Sequence, residues 1–485
     1  MPESSATPRA PRVLLFGFRR QLNQEAVRRA LASARPERLG LVSRGDFLEG
    51  AADEFLSARN GLRACTLEAN PYRCFPPGAL LERLRGDEVV ALRMYERIFR
   101  GAATGQSYEL RRALWVQHVA WAHGLLVEGG YTRVIFSEIP HHPFPFVLHA
   151  VARALGLEVR FFAQVQVKDT HVIAHGIEEL FDPIALEHRR LIEAGLEVPD
   201  EALAPHMQAE IARRTGQHQP FYMGVSDLPL HRRLYARSKK FFRADDRLRL
   251  HRTLQGGMAY RSARRPVPGP DERFVYFPLH LQPEATTSPM GGVFVEQGLA
   301  VETLARALPP GWKVVVKENP AQRYAKRDRG FYQHLGSIPQ VHLVHRDAPT
   351  FDLIERSEAV ATITGTAGWE ALFLGKPSIV FGRAFYRDAP GAIAVEDAES
   401  LAASLHAVAE GTYPCADPAG LRRFLMALQH TSHHGVVDAV YLRDSDLPLE
   451  TSIDRMAASL CTLLRGEDPV SPGAGRAPAV AVPTA

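Results

Sequence analysis

A stretch of small, hydroxylated and acidic residues, TITGTAGWE (362–370), stands where a strand is expected to turn into a helix. Unpaired backbone N–H groups and the dipole at such a helix start attract anions. The candidate phosphate-binding residues are Thr364, Gly365, Thr366 and Ala367. Glu370, one turn into the helix, is a candidate acceptor for ribose hydroxyls. An ordinary capped helix packed on a sheet is the alternative, because motifs this short are weak signals.

A cation follows another expected strand. Lys317 comes directly after the apolar run 314–316 and is followed by Glu-Asn-Pro. At the end of a strand its ammonium group would stabilise the negative charge on a departing phosphate. Pro320 fixes the backbone of the loop that follows. A solvated turn is the alternative for this segment.

The loop after the first strand of the second half, PLHLQPEATTSPMGG (278–292), is rich in proline and hydroxyl groups. A loop of this length is costly unless it is ordered around something. It is therefore predicted to contact a ligand. Its candidate binding residues are His280, Gln282, Glu284, Thr286 and Thr287.

In the first half, the segment SEIPHHP (137–143) also follows an expected strand. Glu138, His141 or His142 could act there as a general base on a hydroxyl group. A structural histidine pair beside a helix-capping glutamate is the alternative.

A second group of histidines, His430, His433 and His434, has the spacing of one helix face. The spacing places no acidic residue beside them, so no metal site is predicted.

The elements that must position these residues alternate between strand and helix. Apolar runs predict strands at 12–18, 39–43, 132–136 and 157–165, then at 273–279, 341–347 and 377–382. The range 312–320 is predicted to be a strand followed by a loop, and 359–366 a strand that enters a turn. This order predicts an α/β fold of two Rossmann-like domains with a cleft between them. Ligands are expected beyond the carboxyl ends of the strands. The stretch 264–272, with two prolines around a glycine, is expected to be the linker.

Composition fits a globular chain of 485 residues, of which 46% are hydrophobic, with a net charge of +4. The four cysteines are scattered, so a cytoplasmic location is expected. No run of apolar residues is long enough for a signal peptide or a membrane span. The expected organisation is a disordered arm (1–10), domains at 11–265 and 266–466, and a disordered tail (467–485).

The segment 231–265 holds twelve arginine and lysine residues against two aspartates. Interspersed apolar residues make an amphipathic helix plausible, so peripheral contact with anionic lipid at the inner membrane face is one interpretation. A solvated helix face without a partner is the other. Nucleic acid is not expected as a partner, because aromatic residues are not interleaved along the run.

The runs PLHLQPEATTSPMGG, VVVKENP and ATITGTAGWEALFLGKPSIVFG resemble the bacterial capsule polysaccharide biosynthesis family, which includes Kdo (3-deoxy-manno-octulosonate) transferases. The resemblance covers about 273–385 and, loosely, 132–165. It implies the GT-B architecture and an activated sugar nucleotide. Kdo transferases of this kind use CMP-Kdo, so a CMP-linked donor is favoured. In similar enzymes a His-Pro pair holds the donor nucleotide, and Asn319-Pro320 stands at the matching position, so UDP- and GDP-linked donors stay open.

The resemblance implies a glycosyltransferase that uses a sugar nucleotide, and neither a metal ion nor a further cofactor is expected. The enzyme would move a sugar, Kdo or a related acidic sugar, from a sugar nucleotide to a surface polysaccharide or glycolipid acceptor. Lys317 and the amides at 364–367 would stabilise the leaving phosphate, and Glu138 or His141 would remove the acceptor proton. A sugar-nucleotide epimerase of the same shape and a non-catalytic glycan-binding assembly subunit are the alternatives.

Overall fold

The computed structural model describes residues 10–57, 70–98, 108–215, 244–282, 284, 287–322, 324, 327 and 329–469. These residues form two compact units. Unit 1 consists of the described parts of 10–98, 108–208 and 425–469, and unit 2 of the described parts of 209–424.

The described residues contain strands β1 Arg12–Phe16, β2 Arg38–Ser43, β3 Glu54–Ser57, β4 Arg133–Phe136, β5 Glu158–Gln164, β6 Thr170–Ala174, β7 Phe274–Pro278, β8 Lys313–Lys317, β9 Val341–Val344, β10 Ala359–Thr362, β11 Ser378–Val380, β12 Ala392–Ala394 and β13 His433–His434.

Their helices are α1 Gln21–Ser33, α2 Gly78–Arg83, α3 Arg85–Ile98, α4 Tyr108–Glu128, α5 Pro143–Ala154, α6 Asp182–Glu193, α7 Pro205–Thr215, α8 Ala244–Ala263, α9 Gln297–Ala307, α10 Arg329–Ser337, α11 Thr350–Arg356, α12 Thr366–Phe373, α13 Ala398–Glu410, α14 Pro418–Thr431 and α15 Leu449–Leu464.

The sheet of unit 1 has the order β13-β6-β5-β4-β1-β2-β3. From β5 to β3 all neighbouring strands are parallel, whereas β6 pairs antiparallel with β5 and with β13. The strand order reverses between β1 and β4, and such a switch point opens a crevice at the carboxyl ends of the strands. In unit 1 that crevice lies beside the segments that follow Phe16 and Phe136.

The sheet of unit 2 has the order β12-β11-β10-β7-β8-β9, and all of its strand pairs are parallel. Its strands are buried on both faces, which explains why they appear in the sequence as uninterrupted apolar runs. Here the order reverses between β7 and β10. The predicted α/β class with two Rossmann-like domains is confirmed.

The C-terminal segment belongs to unit 1, which differs from the predicted boundaries of 266–466 and 467–485. Helix α15 packs against α1 in one buried cluster. Arg160 on β5 donates hydrogen bonds of 2.6 and 2.8 Å to the carboxylate of Asp468. The chain therefore returns to the first sheet near its C-terminus, and part of the expected tail takes part in the fold.

Helix α8 also differs from the predicted organisation, because it packs in unit 2 rather than in the expected domain 11–265. The buried hydroxyl of Tyr260 donates to the carbonyl of Val344 at 2.8 Å. A Cβ added to Gly336 on α10 would lie 2.9 Å from the Cβ of Ala263. Close packing between α8 and α10 thus moves the boundary to before α8.

Unit 1 contains an unusual set of histidines removed from water. Burial lowers the pKa of these side chains to about 3 for His118, His149 and His171, and to about 4 for His206 and His433. His149, for example, lies against the rings of Phe136 and Phe161. Burial disfavours the charged imidazolium, so these groups are neutral in the folded protein near pH 7.

We predict that acidification destabilises unit 1. In the unfolded chain these histidines bind a proton at their usual pKa of about 6.5, whereas in the folded unit they resist it. The free energy of unfolding therefore falls as the pH drops below about 6.5, by up to about 1.4 kcal/mol per pH unit for each buried histidine. Urea denaturation near pH 7.5 and near pH 5.5 should show a lower midpoint at the acidic pH.

The variant His171→Gln removes one of these groups as a control. Its urea midpoint should depend less on pH than that of the wild type, since one fewer proton is taken up on unfolding. A wild-type midpoint that is the same at both pH values would contradict the prediction.

Candidate functional site

The candidate site of unit 2 lies where the loops after β7 and β10 meet, at the reversal of the strand order. His280 follows β7 by two residues, and Nε2 of its ring lies 2.9 Å from the hydroxyl oxygen of Thr362 at the end of β10. The loop 278–292 and the stretch 362–370 were both predicted to bind a ligand. The structure brings their first residues together.

His280 acts as a neutral hydrogen-bond acceptor in this arrangement. The backbone N–H groups of Ile363 and Thr364 donate to its Nε2 at 3.2 and 3.4 Å. This pattern assigns the ring proton to Nδ1. Burial, with the nearby Arg327 guanidinium as a smaller cause, lowers the pKa of His280 to about 4. The ring is therefore uncharged near pH 7.

Helix α12 starts at this junction with backbone N–H groups near the surface. Its N-cap, Gly365, has extended backbone and donates its N–H to the Thr362 hydroxyl at 2.9 Å. A Cβ on Gly365 would lie 2.7 Å from that hydroxyl, so a larger residue does not fit. Thr364 is buried, whereas residues 365–367 are half-buried. The N–H of Ala367 has no hydrogen-bond partner among the described residues.

A buried ion pair supports the backbone of His280. Arg327 donates from Nη2 to the His280 carbonyl at 2.7 Å and from Nε to Glu318 at 2.7 Å. The Tyr332 hydroxyl donates to the same carboxylate at 2.7 Å. Glu318 is fully buried and Arg327 is 7% exposed. Glu318 stood within the predicted motif, but its partner Arg327 carries no local sequence signal and was missed.

Interlocked amides hold the rest of the loop after β7. Gln297 on α9 accepts from the His280 N–H at 2.8 Å and donates to the Gln282 side chain at 2.8 Å. The backbone carbonyl of Glu284 accepts from the hydroxyl of Thr287 at 3.1 Å. Gln282 thus lies near the site, and Thr286 lies outside the described residues.

Lys317 was predicted to stabilise a departing phosphate, and in the structure its ammonium group is bound by protein groups. Lys317 is 7% exposed, and its ammonium group donates to the Ala348 carbonyl at 2.7 Å and to the Thr350 hydroxyl at 2.6 Å. Alternation along β8 places this side chain on the face opposite Val316. Burial lowers the pKa of Lys317, and nearby Asp347 opposes that shift. Lys317 therefore holds the loop before α11.

Asn319 and Pro320 form the turn after this strand. The side-chain oxygen of Asn319 accepts from the N–H of Ala321 at 2.9 Å, a local bond that fixes the turn. Pro320 is exposed. The structure thus accounts for the Asn-Pro pair as a turn.

Glu370 is paired with a protein cation. Its carboxylate accepts from Arg214 at 2.8 Å, and Arg214 also pairs with buried Glu210 at 2.7 Å. The indole of Trp369 donates to Glu210 at 2.9 Å. Burial raises the pKa of Glu370, and Arg214 acts in the opposite direction. The contacts that the structure gives Glu370 join α12 to α7, whereas a ribose contact had been expected.

In unit 1, the predicted base candidates lie at the carboxyl end of β4. Glu138 accepts a hydrogen bond of 2.6 Å from Arg19, which follows β1. The rings of His141 and His142 are 4.4 Å apart, and Nδ1 of His141 lies 2.8 Å from the Ile139 carbonyl. Because a carbonyl oxygen can only accept, this contact assigns the ring proton of His141 to Nδ1. His142 is the N-cap residue of α5.

Within the described ranges, no three His, Cys, Asp or Glu side chains form a group that could hold a metal ion. His430 lies on α14, but His433 and His434 form β13, so the three do not share a helix face. None of the helices in the described part of the chain is both long and apolar enough to cross a membrane.

Comparison with known families confirms the resemblance over one segment. Residues 288–401 match the family model described as "Capsule polysaccharide biosynthesis protein". The segment runs from the end of the loop after β7 through α12 to the start of α13. It therefore contains the start of α12 and the pair formed by Glu318 and Arg327. A search of the curated proteins found no match.

Several solved structures are similar at low identity. The β-Kdo 2,7 transferase KpsC of Thermosulfurimonas dismutans is 12% identical over 76% of this chain and 95% of that chain, with a TM-score of 0.29. Its β-Kdo 2,4 transferase is 14% identical over 63% and 82%, with a TM-score of 0.27. The UDP-GlcNAc 2-epimerase of Neisseria meningitidis, bound to UDP-GlcNAc, is 11% identical over 85% and 96%, with a TM-score of 0.25.

We predict that Glu318→Gln destabilises unit 2 by about 3–5 kcal/mol, because it leaves the Arg327 guanidinium buried without a counter-charge. Urea denaturation measures the loss. Glu302→Gln is the matched control, since Glu302 pairs at 2.5 Å with Arg306, whose side chain is 77% exposed. The control should change stability by less than about 1 kcal/mol. Equal small effects of the two substitutions would refute a structural role for the buried pair.

Proposed function

We propose that the protein is a glycosyltransferase of surface polysaccharide synthesis that uses a sugar nucleotide. The observation that supports this most is the half-buried start of α12, at the strand-order reversal and inside the segment that matches the capsule family model. Backbone N–H groups at such a helix start suit the phosphate of a nucleotide. Unit 2 would accordingly bind the donor.

The proposed chemistry follows from the charge that develops as the sugar–phosphate bond breaks. Negative charge grows on the leaving phosphate, and the N–H groups at 366–367 would stabilise it without a metal ion. Neutral His280 would fix the loop in place by accepting from the amides of 363 and 364. Lys317 and Glu370 would position the loops and helices around the site, because their charged groups are bound by Ala348 and Thr350 and by Arg214.

The identities of donor and acceptor are the finer part of the proposal. A CMP-linked acidic sugar such as Kdo is favoured by the sequence resemblance, and UDP- or GDP-linked sugars remain alternatives. Unit 1 would bind the glycan or glycolipid acceptor near Glu138 and His141, where a hydroxyl proton must be removed. The alternatives make different predictions: an epimerase would convert its sugar nucleotide with no acceptor present, and a glycan-binding subunit would not bind nucleotides.

We predict that Thr366→Pro weakens nucleotide binding about 10- to 100-fold. Proline is well tolerated at the first position of a helix, and Gly365 already has the extended backbone that suits a residue before proline. The substitution removes one N–H donor, and a hydrogen bond to a charged group contributes about 1.5–3 kcal/mol. Titration calorimetry with CMP, UDP and GDP measures the affinity.

Thr366→Ala is the matched control, because it removes the hydroxyl and keeps the backbone N–H. It should retain more affinity than Thr366→Pro. If the wild type binds none of the three nucleotides, the proposed function fails. If Thr366→Pro binds as tightly as the wild type, the helix start is not the phosphate site.

Membrane contact is a further part of the proposal, and α8 gives it support. Leu250, Leu254 and Met258 are 42%, 56% and 60% exposed, and their spacing of four places them on one helix face. Arg261, one turn beyond Met258, is also exposed. An apolar stripe beside basic residues suits an anionic lipid surface. Residues 231–243 of the predicted basic segment lie outside the described residues.

We predict that the wild type sediments with phosphatidylglycerol vesicles and that Leu254→Gln with Met258→Gln reduces the bound fraction severalfold, because apolar burial in the interface is lost. Leu299→Gln, at a residue that is 45% exposed on α9, is the control and should bind as the wild type does. Equal binding of the double variant and the wild type would rule out this face as the contact.

A further inference from the structure

The C-terminal segment brings an additional carboxylate to the candidate acceptor site of unit 1. After β13 the chain runs across the carboxyl ends of the central strands. The N–H of Val437 donates to the side chain of Gln164, the last residue of β5, at 3.0 Å. The carbonyl of Val437 accepts from Asn23, in the first turn of α1, at 3.0 Å. The next residue is Asp438.

Both of these anchors lie beside the reversal of strand order in unit 1. Helix α1 follows β1, and β5 pairs with β4 on the other side of the switch point. The loops after β1 and β4 are in close contact there, since a Cβ on Gly17 would collide with the Ser137 side chain. Asp438 is therefore fixed at the crevice where this fold places ligands.

The charged groups that face Asp438 come from three segments. Its carboxylate interacts electrostatically with Glu138 and His141 after β4 and with Arg20 before α1. One oxygen, Oδ1, accepts from the N–H of Val440 at 3.0 Å on its own segment. The other, Oδ2, has no hydrogen-bond partner among the residues that the structure describes. Asp438 itself is half-buried.

Asp438 and Glu138 differ in whether a cationic side chain of the protein pairs with the carboxylate. Glu138 is bound by the Arg19 guanidinium at 2.6 Å, which competes for its lone pairs. Asp438 forms no ion pair within the described residues. Burial raises the pKa of Asp438, with repulsion by Glu138 acting in the same direction and with His141 and Arg20 opposing it. A general base is most effective when its pKa lies near the pH at which the enzyme works.

We propose that Asp438 is the residue that removes the proton from the acceptor hydroxyl, while Glu138 orients Arg19. The proposal rests on the proposed glycosyltransferase function and assigns a role in it that the predicted candidates did not include. In the step, the acceptor oxygen forms a bond to the anomeric carbon of the donor sugar. The bond from that carbon to the nucleotide phosphate breaks, its electron pair leaves with the phosphate, and the hydroxyl proton moves to Asp438 Oδ2.

The test compares Asp438→Asn with the wild type at saturating CMP-Kdo and an octyl glycoside of Kdo as the acceptor probe. General base catalysis contributes about 100- to 10,000-fold, so kcat should fall by at least about 100-fold. Affinity for CMP should stay unchanged, because unit 2 binds it. The decline of kcat towards acid pH in the wild type should be absent from the residual activity of the variant, since its amide does not titrate.

Asp446→Asn is the matched control, because Asp446 lies on the same segment, is 83% exposed and pairs with Lys168. It should keep wild-type kcat. Melting temperatures of both variants show whether they fold. A folded Asp438→Asn variant with kcat within threefold of the wild type, and with the same pH profile, overturns the role of Asp438 and leaves the proposed function standing. A wild type that binds CMP but forms no product, or that binds none of CMP, UDP and GDP, overturns both.

Discussion

The hydrogen bond between His280 and Thr362 joins the two loops on which the candidate site of unit 2 depends. One loop follows β7 and the other follows β10, and the sheet reverses its strand order between them. An imidazole that is neutral can accept N–H groups there, whereas an imidazolium cannot. Burial keeps the ring neutral and so preserves the start of α12. The buried pair of Glu318 and Arg327 also fixes the loop after β7, because Arg327 donates to the His280 carbonyl.

The two units share a sheet topology but place different polar groups beside its reversal. Each has a central strand order that reverses once, and each collects its polar residues at the carboxyl ends of the two strands beside the reversal. Unit 2 offers backbone N–H groups around a neutral histidine, which suits an anion. Unit 1 offers carboxylates and histidines, which suit proton transfer from a hydroxyl. This division agrees with one unit for a donor nucleotide and the other for an acceptor.

The central parallel strands could be predicted from the sequence because they are buried on both faces and appear as continuous apolar runs. The loops that follow them were identified for the same reason, since polar residues after a buried strand are easy to recognise. Partners that are distant in sequence could not be predicted. The pair of Arg214 and Glu370 spans 156 positions, and no local pattern records it. The return of the chain to unit 1, which delivers Asp438, likewise depends on packing between α1 and α15. Lys317 shows a further limit, because its place after a strand did not reveal that the Ala348 carbonyl and the Thr350 hydroxyl accept hydrogen bonds from its ammonium group.

The most direct test of the account is a crystal structure of the protein with CMP bound. The account predicts a phosphate oxygen about 3 Å from the backbone N–H groups of Thr366 and Ala367, with His280 still in contact with Thr362. A nucleotide bound away from the start of α12, with no contact to residues 366 and 367, would contradict it.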